Sequence, residues 1–361
     1  MSQPSEYWVK GWIDLWATSG TLPEWFYAFV ALLCIYGIVI FPSGAVMVYL
    51  DRKLSADLQA RVGPSRAGPI GILQPLVDLL KLLQKESNVS GTWPENLWLA
   101  VHTMALYSTL AVLPLGSMAL LVDTEMSAFL PFWAALVLAL GTMLLGLSQG
   151  SVPGWFGGIR VAAQTLAGSF PALIAFICVG VRSSSFRWSH LAGSQGFWPW
   201  AWTAFSNPFQ ALAFAVFVIS GLVLIGVAPM DGGLSMSDIH GGVSSHLSGR
   251  RLSLFRLGRF YGFFFWSLIS VVLFLGAWAL PQGLTEGLRE MEALKTLAVF
   301  ELIWLLSKTF ALMLFILWVA RVNPRSRVDQ ITDFSWKVLS PFSLVALMGA
   351  SLWASWRVIF P

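Results

Sequence analysis

The chain has 361 residues, of which 57% are hydrophobic and 11% charged, with a formal net charge of +4 and a mean hydropathy of +0.72. A soluble globular domain carries about 25% charged residues, so this composition excludes one and points to an all-α polytopic membrane protein. The small net charge gains meaning only once the charges are placed on sides of a membrane, and no nucleic-acid partner is expected.

Residues 1–25 are expected to form an extracytoplasmic segment. Residues 1–24 carry Glu6, Asp14 and Glu24 against Lys10, without the basic start, short apolar core and small-residue cleavage site of a secretory signal. A spanning helix needs roughly 20 apolar residues. Eight such runs follow, at about 26–50, 96–121, 128–149, 162–181, 207–229, 260–280, 296–320 and 339–359, making 26–359 a single eight-helix membrane domain. Trp25, Tyr49, Trp93, Trp98, Trp188, Trp278, Trp336 and Trp356 fall near span ends, as an interfacial belt does. No internal repeat is visible, which argues against a transporter built from inverted repeats. Cys34 and Cys178 lie inside apolar runs and read as buried small hydrophobes. Two thiols cannot hold an iron–sulfur cluster, which usually takes four.

Basic residues set the orientation. The segments after the odd-numbered spans, about 51–95, 150–161, 230–259 and 321–338, hold 15 Lys and Arg, against 6 for the termini and even loops. The positive-inside rule places the odd segments in the cytoplasm and both termini outside. The first cytoplasmic segment contains QARVGPSRAGPIGILQPLVDLLKLLQKE, residues 59–86. Its prolines at 64, 69 and 75 and glycines at 63, 68 and 71 prevent one long helix. The spacing predicts a short helix over 75–86, with Pro75 in its first turn. Leu76, Leu79, Leu80 and Leu83 form its apolar stripe, with Asp78, Lys81 and Lys85 on the other side. Residues 50–61 form a second charged, amphipathic segment. Such helices lie on a bilayer surface or against a neighbour, so the segment serves either lipid headgroups or a peripheral protein.

Residues 51–86, DRKLSADLQARVGPSRAGPIGILQPLVDLLKLLQKE, closely resemble the first cytoplasmic loop of the H-subunit family of the proton-pumping NADH:quinone oxidoreductase, respiratory complex I. GGIRVAAQT at 157–165 and RVNPRSRVDQITDFSWKVLSPFSL at 321–344 resemble two further stretches of that family. The resemblance implies a membrane-arm subunit that docks the peripheral arm, helps wall the quinone tunnel and begins a line of ionisable residues linking quinone reduction to proton pumping. It implies Arg61 and the 63–69 turn near the quinone entrance. Arg160, Gln164, Asp231, Asp238 and Glu301 belong to the quinone cavity or its coupling. Arg52, Lys53, Arg66, Asp78, Lys81, Lys85, Glu86, Arg321, Arg325, Arg327 and Asp329 belong to the docking surface. It further implies quinone as substrate, with FMN and iron–sulfur clusters in partner subunits and no cofactor or complete active site in this chain. The partners are other membrane-arm and peripheral-arm subunits and the lipid bilayer, in a bacterial inner membrane.

The sequence departs from the family pattern where carboxylates are expected. Ser169 stands at an intramembrane glutamate position, and Leu234, Met236 and His246 replace three more in the 228–249 segment, where Asp231 is kept and Asp238 replaces another. Gly232 and Gly233 stand where the family has Leu-Pro. Three readings stay open: a subunit with a different coupling route, a paralogue with another electron donor, or one that keeps assembly and quinone access without coupling. The membrane anchor of a hydrogenase or ferredoxin-linked complex is the alternative, and an autonomous ion transporter a third class. His240 and His246 share a loop with Asp231 and Asp238, but their spacing fits no usual metal pattern, and no metal site is expected. His102 reads as a hydrogen-bonded structural histidine. Glu301 and Lys308 are seven residues apart on one face of the seventh span.

Overall fold

The computed structural model describes residues 35–86, 92–117, 123–234, 240–290 and 294–359. The main elements are helices, with no strand among the described residues. α1 (Phe41–Leu58) continues a wider turn at Ile35–Ile40. It runs unbroken through Asp51 and Arg52, so the charged 50–58 stretch extends the first apolar helix rather than forming a separate one. Pro64 and the glycines then break the chain as expected. Gly71 has φ +83°, and a Cβ there would lie 2.3 Å from the Pro64 carbonyl oxygen, so only glycine closes this turn. α2 (Gln74–Gln84) follows with Pro75 near its start.

α3 spans Trp93–Ala111, α4 Leu130–Ser148, α5 Val152–Ser183, α6 Trp188–Gly193 and α7 Pro208–Ile225. α8 spans Gly249–Phe274, α9 Gln282–Glu290, α10 Leu294–Val322, α11 Val328–Phe334 and α12 Ser340–Ile359. Among the described residues, six segments are long and apolar enough to cross a membrane: Ser127–Ser148, Val152–Ser183, Pro208–Ile225, Gly249–Phe274, Thr296–Val322 and Val328–Trp356. α1 and α3 occupy the positions of the first two expected spans, and residues 26–34 and Cys34 lie outside the described residues.

Two expected loops are helical. α5 starts at Val152, not near 162, because the Ser151 hydroxyl accepts from Gly154 N at 3.2 Å and Pro153 favours the first turn. Nothing stops that helix until Ser184 turns left-handed at φ 53°. Arg160 therefore sits on a helix. α8 likewise begins at Gly249 and takes Arg250, Arg251, Arg256 and Arg259 out of the expected loop.

α8 is the axis of the fold. Of its most apolar window 83% is buried, against 28% for the matching windows containing α4 and α10. Its stretch from Tyr261 to Phe274 is apolar almost all round, the pattern of a helix enclosed by others. It packs on α1, α2, α3, α7 and α10. Trp266 stacks on Phe217 of α7, with ring centroids 4.5 Å apart, and its indole N–H donates to the Phe217 carbonyl at 3.1 Å. Lipid tails are as apolar as leucine, so close packing holds such helices together. α4 and α5 show this: a Cβ on Gly146 would lie 2.6 Å from the Gly154 carbonyl oxygen.

Candidate functional site

One end of the bundle gathers the charges. Adjacent residues on α1 tie it to two different elements. Asp51 accepts from Arg321 of α10, with the Nε contact at 2.9 Å, and Arg52 pairs with Asp78 of α2. Gln74 donates to the other Asp78 oxygen at 2.9 Å. α2 is also held by Arg250 of α8, which donates to the Leu83 carbonyl at 3.2 Å. The surface helix is thus fixed at both ends while Leu80 and Leu83 stay exposed beside Ile70, Ile72 and Leu73. Arg61, Arg66, Lys81, Lys85 and Glu86 are exposed on the same end, Lys53 is half-buried, and Arg61 donates to Gln59 at 2.7 Å.

The second cluster closes the bundle below that surface. Asp231, in the loop after α7, is buried and pairs with the half-exposed Arg325 at 2.8 Å. Ser326 N donates to the Pro229 carbonyl at 2.9 Å, so the α7–α8 loop and the α10–α11 turn are bound together by backbone as well as charge. Arg259 of α8 lies in the field of Asp231 and donates from Nη2 to the Gly226 carbonyl at 2.7 Å. Gln164 of α5 donates to the Val223 and Met230 carbonyls at 2.7 and 2.6 Å, pinning the loop from the other side. Arg327 and Asp329 are exposed, and Arg160 is half-buried on α5. Asp238 and Met236 lie outside the described residues.

A cavity of about 60 Å³ lies inside this cluster, between α3, α4, α5, α7, α8 and the loop carrying Asp231. His102, Gln164, Asp231 and Arg259 line it together with Leu234, where the resemblance expects a carboxylate. The expected structural role of His102 is met on one side, where Nδ1 lies 3.0 Å from Thr142 Oγ1.

Glu301 and Lys308 lie away from this cluster and serve different contacts. Glu301 is buried and accepts from Ser117 N at 2.8 Å and Ser117 Oγ at 2.6 Å. Lys308 donates to the Leu275 carbonyl at 2.9 Å, just past the end of α8, and sits 5.4 Å from the rings of both Trp202 and Trp304. A lysine at a helix C-terminus satisfies a carbonyl left open there.

Sequence reasoning singled out Asp231, Arg325, Arg321, Arg52 and Asp78, which the fold joins through ion pairs. It missed Asp51, Arg259 and the pair formed by the buried Glu95 with Arg251 at 3.4 Å. Arg251 and Arg259 counted only as loop charges. Helical register through Gly249–Phe274 is the signal that places them on α8. His240 and His246 are exposed, and among the described residues no group of three His, Cys, Asp or Glu is placed to hold a metal ion.

The profile of the NADH dehydrogenase family matches residues 30–351. The H subunit of the NADH-quinone oxidoreductase of Anaeromyxobacter dehalogenans (strain 2CP-C) is 31% identical over 352 residues, covering 94% of this chain and 84% of that protein. The corresponding H subunit of Chlorobaculum parvum (strain DSM 263 / NCIMB 8327) is 30% identical over 361 residues, covering 98% of both. Among solved structures, a chain of the membrane-bound sulfane sulfur reductase, an archaeal respiratory membrane complex, superimposes with a TM-score of 0.75 at 22% identity. The match covers 90% of this chain and 99% of that one. That likeness speaks to the fold.

Proposed function

The chain belongs to the NADH dehydrogenase family, and we propose that it is a membrane-arm subunit of a proton-translocating NADH:quinone oxidoreductase, docking the peripheral arm and walling part of the quinone cavity. The observation that carries this reading is the fixed, exposed floor at the charged end. Arg52–Asp78 and Asp51–Arg321 hold α1, α2 and α10 in one surface, and that surface presents Arg61, Arg66, Lys81 and Lys85 around an uncovered apolar strip. Apolar centres with a charged rim are the anatomy of a protein interface. A ligand pocket for a ring-sized group takes about 300–1,000 Å³, far above the interior cavity of about 60 Å³. In this reading the quinone head sits between this floor and a partner subunit, with Arg61 and the 63–69 turn at the entrance.

In this reading the chain crosses a bacterial inner membrane eight times, α1 and α3 included, with the charged end cytoplasmic and both termini outside. The excess of 15 over 6 basic residues supports that orientation. FMN and iron–sulfur clusters belong to partner subunits, and this chain supplies no complete active site. Arg325, Asp231 and Arg259 link the floor to the interior. Glu301 is a further buried carboxylate open to proton handling, since such a group is costly in a membrane unless paired or functional.

A second reading keeps the assembly and changes its partner. The losses at Ser169, Leu234, Met236 and His246 remove carboxylates that the resemblance expects, which favours a paralogue in a related complex or one with altered coupling. Photo-crosslinking with an azido-quinone on the purified complex separates the two. Labelling within 61–69 or at Arg160 supports quinone access along this chain. Labelling confined to other subunits, with electron transfer intact, overturns it.

A further inference from the structure

The end of the bundle opposite the charged floor carries a pocket of about 390 Å³. It lies where α5 ends, α7 begins and α12 passes, with Arg182, Ser194, Ser206 and Gln210 on its polar side and Ala350 and Trp353 on its apolar side. Arg182 follows Arg160 by 22 residues on the same helix, about 33 Å of rise. Residues 161–181 between them carry no charge, and the hydrocarbon core of a bilayer is about 30 Å thick. The pocket therefore sits at the depth of lipid headgroups. Its polar side is rich in acceptors. Gln210 is 1% exposed, and its Nε2 donates to the Cys178 carbonyl at 2.8 Å. A carbonyl only accepts, so the amide's orientation is fixed, and Oε1 is left buried without a partner. Ser194 and Ser206 spend their hydroxyl hydrogens on the Leu191 and Thr203 carbonyls, both at 2.9 Å, and offer only lone pairs. Beside these acceptors stands the Arg182 guanidinium, whose Nη2 is tied to the Ser194 and Ala201 carbonyls at 3.3 and 3.4 Å.

We propose that this pocket binds the headgroup of a phospholipid whose phosphodiester is joined to an N–H or O–H donor, as in phosphatidylethanolamine and phosphatidylglycerol. The phosphate pairs with the Arg182 guanidinium, whose planar fork matches it. The headgroup's ammonium or hydroxyl donates to Gln210 Oε1. The α7 N-terminus, where Asn207 accepts from Gln210 N at 2.7 Å, presents the positive end of its dipole to the same anion. An acyl chain leaves over Ala350 and follows α12, where Leu352, Trp353 and Trp356 are exposed. Ligand pockets take about 300–1,000 Å³, and this one has the volume for a headgroup. Phosphatidylcholine fits the space and the cation, but its quaternary ammonium has no N–H and leaves Gln210 Oε1 unmet. A metal cation is repelled by Arg182. The site rests on the chain's being a membrane protein and not on what its complex reduces.

Photolabelling of the intact complex in lipid nanodiscs tests it. The probe is a trace of phosphatidylethanolamine with a diazirine in its acyl chain, mapped by mass spectrometry and read as label on the α12 peptide around Ala350–Trp353 relative to label on the rest of the chain. In a phosphatidylcholine bilayer nothing competes for the pocket. That ratio should be at least about fivefold higher there than in phosphatidylethanolamine or phosphatidylglycerol bilayers, because only those two satisfy the buried acceptor. Gln210→Met should remove the difference between bilayers. Ala354→Trp, on the pocket's α12 side, should fill it and abolish the excess label. Equal ratios in all three bilayers would show bulk lipid only and overturn the proposal. So would an unaltered excess in Ala354→Trp, displacement by inorganic phosphate, which marks a plain anion site, or no label in any bilayer, which marks a pocket covered by protein. The readout needs no turnover, so a failed quinone assay leaves it intact.

Discussion

Asp231 and Arg325 meet at 2.8 Å across two loops far apart in sequence, the carboxylate buried and the guanidinium half exposed. This pair joins the docking floor to the interior cavity, and the asymmetry of its burial sets what each side is worth. Asp231→Asn should destabilise the subunit more than Arg325→Ala. The first removes the buried carboxylate that pairs with Arg325 and whose field reaches Arg259. Breaking a fully buried pair costs about 3–5 kcal/mol, and solvent around Arg325 lowers that toward about 1–3 kcal/mol. The second leaves Asp231 facing Arg259. Thermal inactivation of the two purified variants decides the order, and an equal or larger loss for Arg325→Ala contradicts it.

The α7–α8 contact should be intolerant of added volume. A Cβ on Gly221 would lie 1.7 Å from Trp266 Nε1, whereas one on Gly287 of α9 would meet nothing within 4 Å. Gly221→Ala should cost at least about 1–3 kcal/mol by overpacking. Gly287→Ala should be neutral or gain up to about 1 kcal/mol from helix propensity. Denaturation midpoints of the two variants supply the comparison.

Glu301 should be held by hydrogen bonding to Ser117 rather than by charge alone. Glu301→Leu leaves Ser117 N and Oγ without their acceptor, at about 1–3 kcal/mol. Glu301→Gln keeps an acceptor oxygen and should lose less. If Glu301 also carries protons, the Gln variant lowers proton translocation at unchanged quinone reduction, measured in proteoliposomes. A Gln variant as unstable as the Leu variant would show that the charge, not the acceptor, holds the contact.

The Arg52–Asp78 pair is exposed, and such pairs are worth about 0–1 kcal/mol. Arg52→Asp should therefore leave the membrane subunit folded yet weaken capture of peripheral subunits, because α2 loses its tether to α1 and keeps only the Arg250 contact to α8. Adding Asp78→Arg restores the pair with its polarity reversed and should recover part of that capture. Recovery of peripheral subunits, normalised to this chain, is the readout; no rescue by the double variant argues against tethering.

Much of the architecture was legible in hydropathy, because lipid demands long apolar helices with satisfied backbones. The break at 59–73 and the start of α2 followed from Pro64, Pro75 and Gly71, whose backbone chemistry is local. The early starts of α5 and α8 were harder to read, because Arg160 and the four arginines from Arg250 to Arg259 look like loop charges until their helix is placed. Ion-pair partners were the least legible part. Asp51 and Arg321 are separated by 270 positions, and no spacing rule joins residues brought together by packing alone. The cavity was invisible for the same reason: His102, Gln164 and Arg259 come from three helices.

The most direct test is mass spectrometry of the complex captured through this subunit from native membranes, with an inhibitor-sensitive NADH:quinone assay on the same sample. Co-purifying flavin and iron–sulfur subunits with quinone reductase activity are expected. Hydrogenase-type partners, or the subunit recovered alone without that activity, would contradict the assignment and remove the quinone roles given to Arg61 and the 63–69 turn.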